Sequence, residues 1–390
     1  MNFREKLLSV LKKNQRKKRK LNIRYTVPSP ETYPHQWLID SCLHALIYLK
    51  LKKFKLAKEE IISLIAAQWD NGFIPHMVYW GWSKKHIREW GVEKTSSITD
   101  PPMLAYSVER IFKVTGDEKF VNNVFESLDK YYKFLYRVRS QNFILSVIHP
   151  WETMEDDLPS WDKVYGVENP SREELMEYKL KVLSEYVKTG LNQREFLKKK
   201  IFNVKSLLFN SVYLKNICSM YALGKEIGYD VKFYKKLIPK MRDSMRNNLF
   251  NKSLGIYLPK SGNTWLKEET CEIFLPLFAK IPTKAQVKFL VTNYFLNPER
   301  FWTRYPLPSV SQKSESFDPN RYWRGNTWIY VNWFVAKGLE SYGYEELARE
   351  LKKKSFELVK NFGFREYYNP LNGKGLGARN FAGSGLVIDM

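Results

Sequence analysis

From Pro34 onward the chain is a succession of segments whose apolar residues recur at helical spacing, separated by short polar or glycine-bearing turns. The strict alternation that a half-buried strand requires is scarce. Tyr234, Leu237, Ile238, Met241, Met245 and Leu249 fall on one stripe of a helix, and lysines and arginines fill the opposite face. The pattern predicts helices over 35–51, 55–69, 100–115, 117–138, 172–190, 204–227, 230–250, 266–279, 283–293, 324–342, 344–361 and 381–389. Turns as short as Tyr342-Gly343-Tyr344 and Ile227-Gly228-Tyr229-Asp230 make neighbouring helices antiparallel. About a dozen helices joined in this way predict an all-α chain in which six hairpins close into a ring. The long connections, 71–99, 141–171, 251–265, 294–323 and 362–380, hold much of the Trp, Gly and Pro and are expected to gather at one end, above a central funnel.

A formal charge of +23 makes the surface basic and attractive to polyanions. Its densest run, Lys12, Lys13, Arg16, Lys17, Lys18, Arg19 and Lys20, closes an amphipathic start over Phe3 to Val10. Residues 1–27 read as a basic arm or helix, either solvated or lying on RNA or a membrane surface, with 28–390 as one domain. No familiar nucleic-acid-binding motif accompanies the charge, so nucleic acid is not an expected partner. Cys42, Cys218 and Cys271 are too scattered for a disulfide framework or a CxxC site. No apolar run reaches about 18 residues. These features predict a protein of the cytoplasm with no membrane span.

Three clusters carry chemistry. His149-Pro150-Trp151-Glu152-Thr153-Met154-Glu155-Asp156-Asp157-Leu158-Pro159-Ser160-Trp161-Asp162 crowds carboxylates between aromatics. Indole faces stack on the C–H faces of a pyranose and carboxylates accept from its hydroxyls, so the cluster reads as a carbohydrate subsite. Arg321-Tyr322-Trp323-Arg324-Gly325-Asn326-Thr327-Trp328 is an aromatic and cationic turn entering a helix, with Trp323 and Trp328 either lining a pocket or filling the core. Phe364-Arg365-Glu366-Tyr367-Tyr368-Asn369-Pro370 sets a single acid among aromatics ahead of Gly373, Gly375 and Gly377. His35, His44, His76, His86 and His149 lack metal-ligand spacing, so neither a metal nor another cofactor is expected. His149 is expected to fix its loop by hydrogen bonding.

Taken in order, these clusters resemble glycoside hydrolase family 63, particularly its compact members. The likeness covers nearly everything after residue 27. It begins with Pro28-Ser29-Pro30-Glu31-Thr32-Tyr33-Pro34-His35-Gln36-Trp37-Leu38-Ile39-Asp40-Ser41 and continues through Gln68-Trp69-Asp70-Asn71-Gly72-Phe73-Ile74-Pro75-His76 and Ile98-Thr99-Asp100-Pro101-Pro102. The His-Pro-Trp-Glu block, Pro308-Ser309-Val310-Ser311, the Tyr-Trp-Arg-Gly-x-x-Trp block and the Glu366 loop follow. The resemblance implies an (α/α)6 barrel that hydrolyses an α-glycosidic bond with inversion on a small glucoside, mannoside or oligosaccharide. By position it implies Asp156 as general acid, with Glu155 and Asp157 as alternative donors, and Glu366 as general base. It places Tyr33, Trp37, Asp40, Trp151, Glu152, Tyr322, Trp323 and Trp328 around the sugar.

The chain departs from the family's pattern at Ile39 (usually Trp), Asp100 (Gln), Asp157-Leu158 (Asn-Ser) and Ala382-Gly383 (Ser-Trp). Glu177, before Tyr178, aligns with an arginine that meets the carboxylate of glycerate in mannosylglycerate-type members, which counts against an anionic aglycone. Two other readings stand beside hydrolysis: a sugar-binding protein without turnover, and a helical protein associated with nucleic acid through its charge.

Overall fold

The computed structural model describes residues 2–81 and 84–390. Six segments form an inner ring: Leu38–Lys50, Leu104–Thr115, Leu207–Glu226, Cys271–Ala279, Ile329–Ser341 and Ala382–Ile388. Each packs on the next and the last returns to the first, so the ring closes. The outer layer comprises Phe3–Asn14, Phe54–Ile65, Glu118–Arg139, Lys232–Asn248, Lys284–Leu290 and Glu345–Phe362. The protein is therefore an (α/α)6 barrel. The layers differ in sequence for a physical reason. Leu38–Lys50 is enclosed on several sides and buries eleven of its thirteen residues, whereas Glu345–Phe362 buries one stripe, Ala348, Leu351, Ser355, Leu358 and Val359.

The expected helix over 172–190 exists as Arg172–Val187, but it lies outside the ring. The outer position left open is filled by Phe3–Asn14, within the segment read as a basic arm or helix. Asn2 and Glu5 close a capping box on this helix, each bond 2.9 Å. Leu7 and Leu11 are fully buried, and the Phe3 ring lies 4.6 Å from that of Phe356. Asn14 ends the helix by donating from Nδ2 to the Pro28 and Asn380 carbonyls at 3.0 and 2.9 Å. Gln15–Lys18 then pairs antiparallel with Ile23–Thr26.

Two expected α-helices are tighter. Cys271–Ala279 and Ala382–Ile388 are 3-10 segments; Pro276 within the first cannot donate to an α-helical ladder. The expected helix over 324–342 begins only at Ile329, because Thr327 exchanges backbone bonds of 2.8 and 2.9 Å with Tyr368. The long connection 362–380 contains a hairpin, Arg365–Tyr368 against Gly375–Arg379.

Connections from inner to outer segments are short, as from Lys50 to Phe54 and from Thr115 to Glu118. Those from outer to inner are long and carry the small strands and extra helices. All long connections thus emerge at the N-terminal ends of the inner segments, the mouth of the expected funnel. Among the described residues no helix is long and apolar enough to cross a membrane.

Candidate active site

At this mouth lies a cavity of about 390 Å³, within the range of small-molecule sites. Its floor is built where inner segments begin. Trp37 and Trp328 are the residues capping Leu38–Lys50 and Ile329–Ser341, Asp40 and Tyr330 stand in the first turns of those helices, and Phe381 precedes Ala382–Ile388. Asp156 and Glu366, more than two hundred residues apart, both enter this cavity. Tyr33, Trp37, Asp40, Trp151, Tyr322 and Trp328 join them in its wall.

Each acid is held by a phenol. The Tyr322 hydroxyl donates to Asp156 Oδ2 at 3.2 Å, and the Tyr33 hydroxyl donates to Glu366 Oε1 at 2.7 Å. Glu366 Oε2 accepts the Ala378 N–H at 2.8 Å. That bond depends on a bulge in the hairpin carrying Glu366. Gly377, at φ +62°, forms the bulge, and a Cβ there would collide with the Glu366 carboxylate and the Tyr367 ring. The glycine therefore makes room for the acid.

Burial in the cavity wall raises Asp156 from the ordinary carboxylate range to about 7; Lys179 opposes the shift, and Asp157 and Glu366 add to it. Glu366 is also raised by burial, against the Ala378 and Tyr33 hydrogen bonds and the nearby Arg172. Asp40 is pushed up to about 7 by burial and by Glu366. Asp157, one of the alternative donors, is committed elsewhere: its Oδ1 takes the Lys179 ammonium at 2.5 Å. Glu155, the other, is fully buried and turned away from the cavity.

Two expected sugar contacts do not reach the cavity. Glu152 is fully buried, and its carboxylate is saturated by the Arg139 guanidinium at 2.5 and 2.7 Å, Ile148 N at 2.8 Å and Thr99 N at 3.0 Å. It anchors the loop to the outer helix Glu118–Arg139 and has no lone pair to spare for a hydroxyl. Glu152→Ala, which strands a buried guanidinium, is expected to lower stability by about 3–5 kcal/mol, read as a shift in the urea midpoint. Trp323 lies behind Trp328, stacked at 4.2 Å and fully buried, so it supports the platform without touching the cavity.

The walls are locked to one another. Arg324 forms a bidentate pair with Asp162, both bonds 2.6 Å, joining the Tyr322 turn to the Asp156 loop. His149 accepts the Trp151 N–H on Nδ1 at 3.1 Å and, through Nε2, donates to the Lys179 carbonyl at 2.9 Å. It fixes the loop as expected. Ile39, Asp100 and Asp157 are in the wall, so these departures from the family pattern face the ligand space. Leu158, Ala382 and Gly383 are buried outside it. Glu177 is exposed and also outside it.

Sequence reasoning missed Arg172, Met176 and Lys179, which present one face of Arg172–Val187 to the cavity, as well as His76, Trp90 and Tyr330. The i, i+4, i+7 spacing of the first three was visible, but a charged stripe normally faces water. Among the described residues no group of three His, Cys, Asp or Glu side chains is placed to hold a metal ion.

The chain is 30% identical to a mannosylglycerate hydrolase of Thermus thermophilus over 98% of each chain, and 30% identical to mannosylglycerate hydrolase MGH1 of Selaginella moellendorffii over 92% of this chain and 80% of that one. Its structure superposes on the crystal structure of a GH63 mannosylglycerate hydrolase from Thermus thermophilus, in complex with Tris and D-glycerate, with a TM-score of 0.91, 30% identity and 99% of each chain covered. Residues 33–384 match the mannosylglycerate hydrolase MGH1-like glycoside hydrolase domain, and the chain belongs to that family of glycoside hydrolases.

Proposed function

We propose that the cavity hydrolyses the α-glycosidic bond of a mannoside or glucoside of glycerate, with inversion. Asp156 protonates the leaving oxygen, and Glu366 takes a proton from the water attacking the opposite face of the sugar. The observation that carries this reading is the pair of acids in the wall of one cavity, Asp156 and Glu366, each bonded to its own tyrosine, Tyr322 and Tyr33. Inversion needs roughly 6.5–9.5 Å between the carboxyls, enough to admit the water, whereas retention brings them to about 5–5.5 Å.

Arg172 supports an acidic aglycone. Its guanidinium lies 5.4 Å from the centre of the Tyr322 ring at the cavity wall, and no carboxylate of the described residues pairs with it. Lys179, by contrast, is neutralised by Asp157. The sequence argument against an anionic aglycone rested on Glu177, which faces solvent. The relative with bound D-glycerate agrees in ligand class. A cytoplasmic setting is consistent with three unpaired thiols.

Proton NMR of the first product tests the reading. With mannosylglycerate or glucosylglycerate the protein should release the β-anomer first; α-anomer, or no sugar from either, overturns it. Arg172→Met should raise KM for the glycerate glycosides by roughly 10–100-fold, the worth of a charge-assisted bond, and leave KM for methyl α-glycosides near native. An equal effect on both would refute the acidic aglycone.

A further inference from the structure

Asp156 points into the cavity, and its neighbour Glu155 points into the body of the protein, where it is fully buried. Glu155 Oε1 accepts the Cys271 thiol at 3.3 Å. Glu272 is equally buried, and its Oε1 accepts Ser206 Oγ at 2.9 Å and the Leu207 N–H at 3.0 Å. These are the cap and first residue of the inner helix Leu207–Glu226. The other two oxygens, Glu155 Oε2 and Glu272 Oε2, are sealed from solvent and receive no N–H or O–H donor from the described residues.

No lysine, arginine or histidine among the described residues pairs with either acid. The titratable groups that face Glu155 are Glu272 and Cys271 from the adjoining inner segment and Asp156 from its own loop, all neutral or anionic. Two carboxylates with bare oxygens in this setting would repel and leave both undonated. One shared proton, as O–H···O⁻, satisfies the pair. The helix N-terminus decides which acid keeps it, because its N–H groups and dipole favour an ionised Glu272. Glu155 is then the neutral partner. Burial raises both carboxyls, and Glu155 lies well above the ordinary range through burial first and Glu272 second.

We propose that Glu155 is a positioning residue, a neutral acid whose proton bonds to Glu272 and so ties the loop carrying Asp156 to the N-terminus of Leu207–Glu226. The proposal rests on the reading of Asp156 as general acid. Its effect is on the placement of Asp156. A carboxyl that must reach the leaving oxygen loses rate steeply with sub-ångström displacement, and Glu155 fixes the adjacent Cα from behind.

Three measurements test it. Glu155→Gln replaces the acid by a side chain that can donate to Glu272 and still accept from Cys271, so kcat should stay within about threefold of native. Glu155→Ala and Glu272→Ala cut the tie and should lower kcat by roughly 10–100-fold with little change in KM. Native kcat in both alanine variants, or a loss in Glu155→Gln equal to that in Glu155→Ala, overturns the proposal. The third readout is independent of turnover and of whether the alanine variants fold. At pH 7 the infrared difference between native protein and Glu155→Gln should contain the C=O stretch of a protonated carboxylic acid. A carboxylate band in its place refutes the shared proton. If Asp156→Asn remains active, the role of Asp156 falls, but the infrared band still decides the state of the pair.

Discussion

Asp156→Asn should lower kcat/KM on an alkyl α-glycoside by roughly 10³–10⁴-fold, near the upper end of what proton transfer contributes, and should cost far less on a nitrophenyl α-glycoside. The contrast follows from the leaving group. An alkoxide must be protonated as the bond breaks, whereas a nitrophenolate departs unassisted. Steady-state kinetics on the two substrates gives the answer, and an equal loss on both would show that Asp156 does something other than donate. The wild-type pH profile carries the same signature. A general acid works only while protonated, and burial holds Asp156 up to about 7 with Lys179 opposing. Activity on the alkyl glycoside should therefore fall as pH rises through about 7, and the nitrophenyl glycoside should show this limb weakly or not at all.

Glu366→Gln should be at least as damaging, by roughly 10³–10⁴-fold, and indifferent to the leaving group, because removing a proton from water is required whichever alcohol departs. The amide is nearly isosteric, so it can remain between Tyr33 and Ala378 without opening the hairpin. Circular dichroism should be native, separating lost chemistry from lost structure. A base works ionised, and burial raises Glu366 above its ordinary value. The acid limb of wild-type activity should thus lie higher than a solvated glutamate would give, with rate lost as pH falls through it. Similar rates for Glu366→Gln and wild type would leave the water without its base.

The outer layer was the most legible part of the chain. Helices such as Lys232–Asn248 bury one stripe and wet the other, so their apolar residues keep a 3.6-residue period. Inner segments are buried around most of their circumference, and the period weakens; Cys271–Ala279, with Pro276 inside it, and Ala382–Ile388, with Gly383 and Gly385, looked like ordinary helices and are tighter. The helix Phe3–Asn14 was obscured by charge. Its Leu7 and Leu11 have the right spacing, but the lysines that follow suggested a solvated arm. Within the site, residue type misled twice. Glu152 and Trp323 have the chemistry of a sugar subsite, yet Arg139 consumes the first and Trp328 covers the second. No local pattern discloses a partner far away in sequence. Arg172 was missed for the converse reason, since a charged residue on an amphipathic helix reads as solvated until the fold sets that helix over a cavity.

The position of Phe3–Asn14 bears on assembly. This helix packs on Ala382–Ile388, from the opposite end of the sequence, so during synthesis it leaves the ribosome long before its neighbour exists. Until then Leu7 and Leu11 have no apolar surface of that neighbour to meet, so this seam joins an early stretch of chain to a much later one. Losing either of these two segments would unfasten the same join.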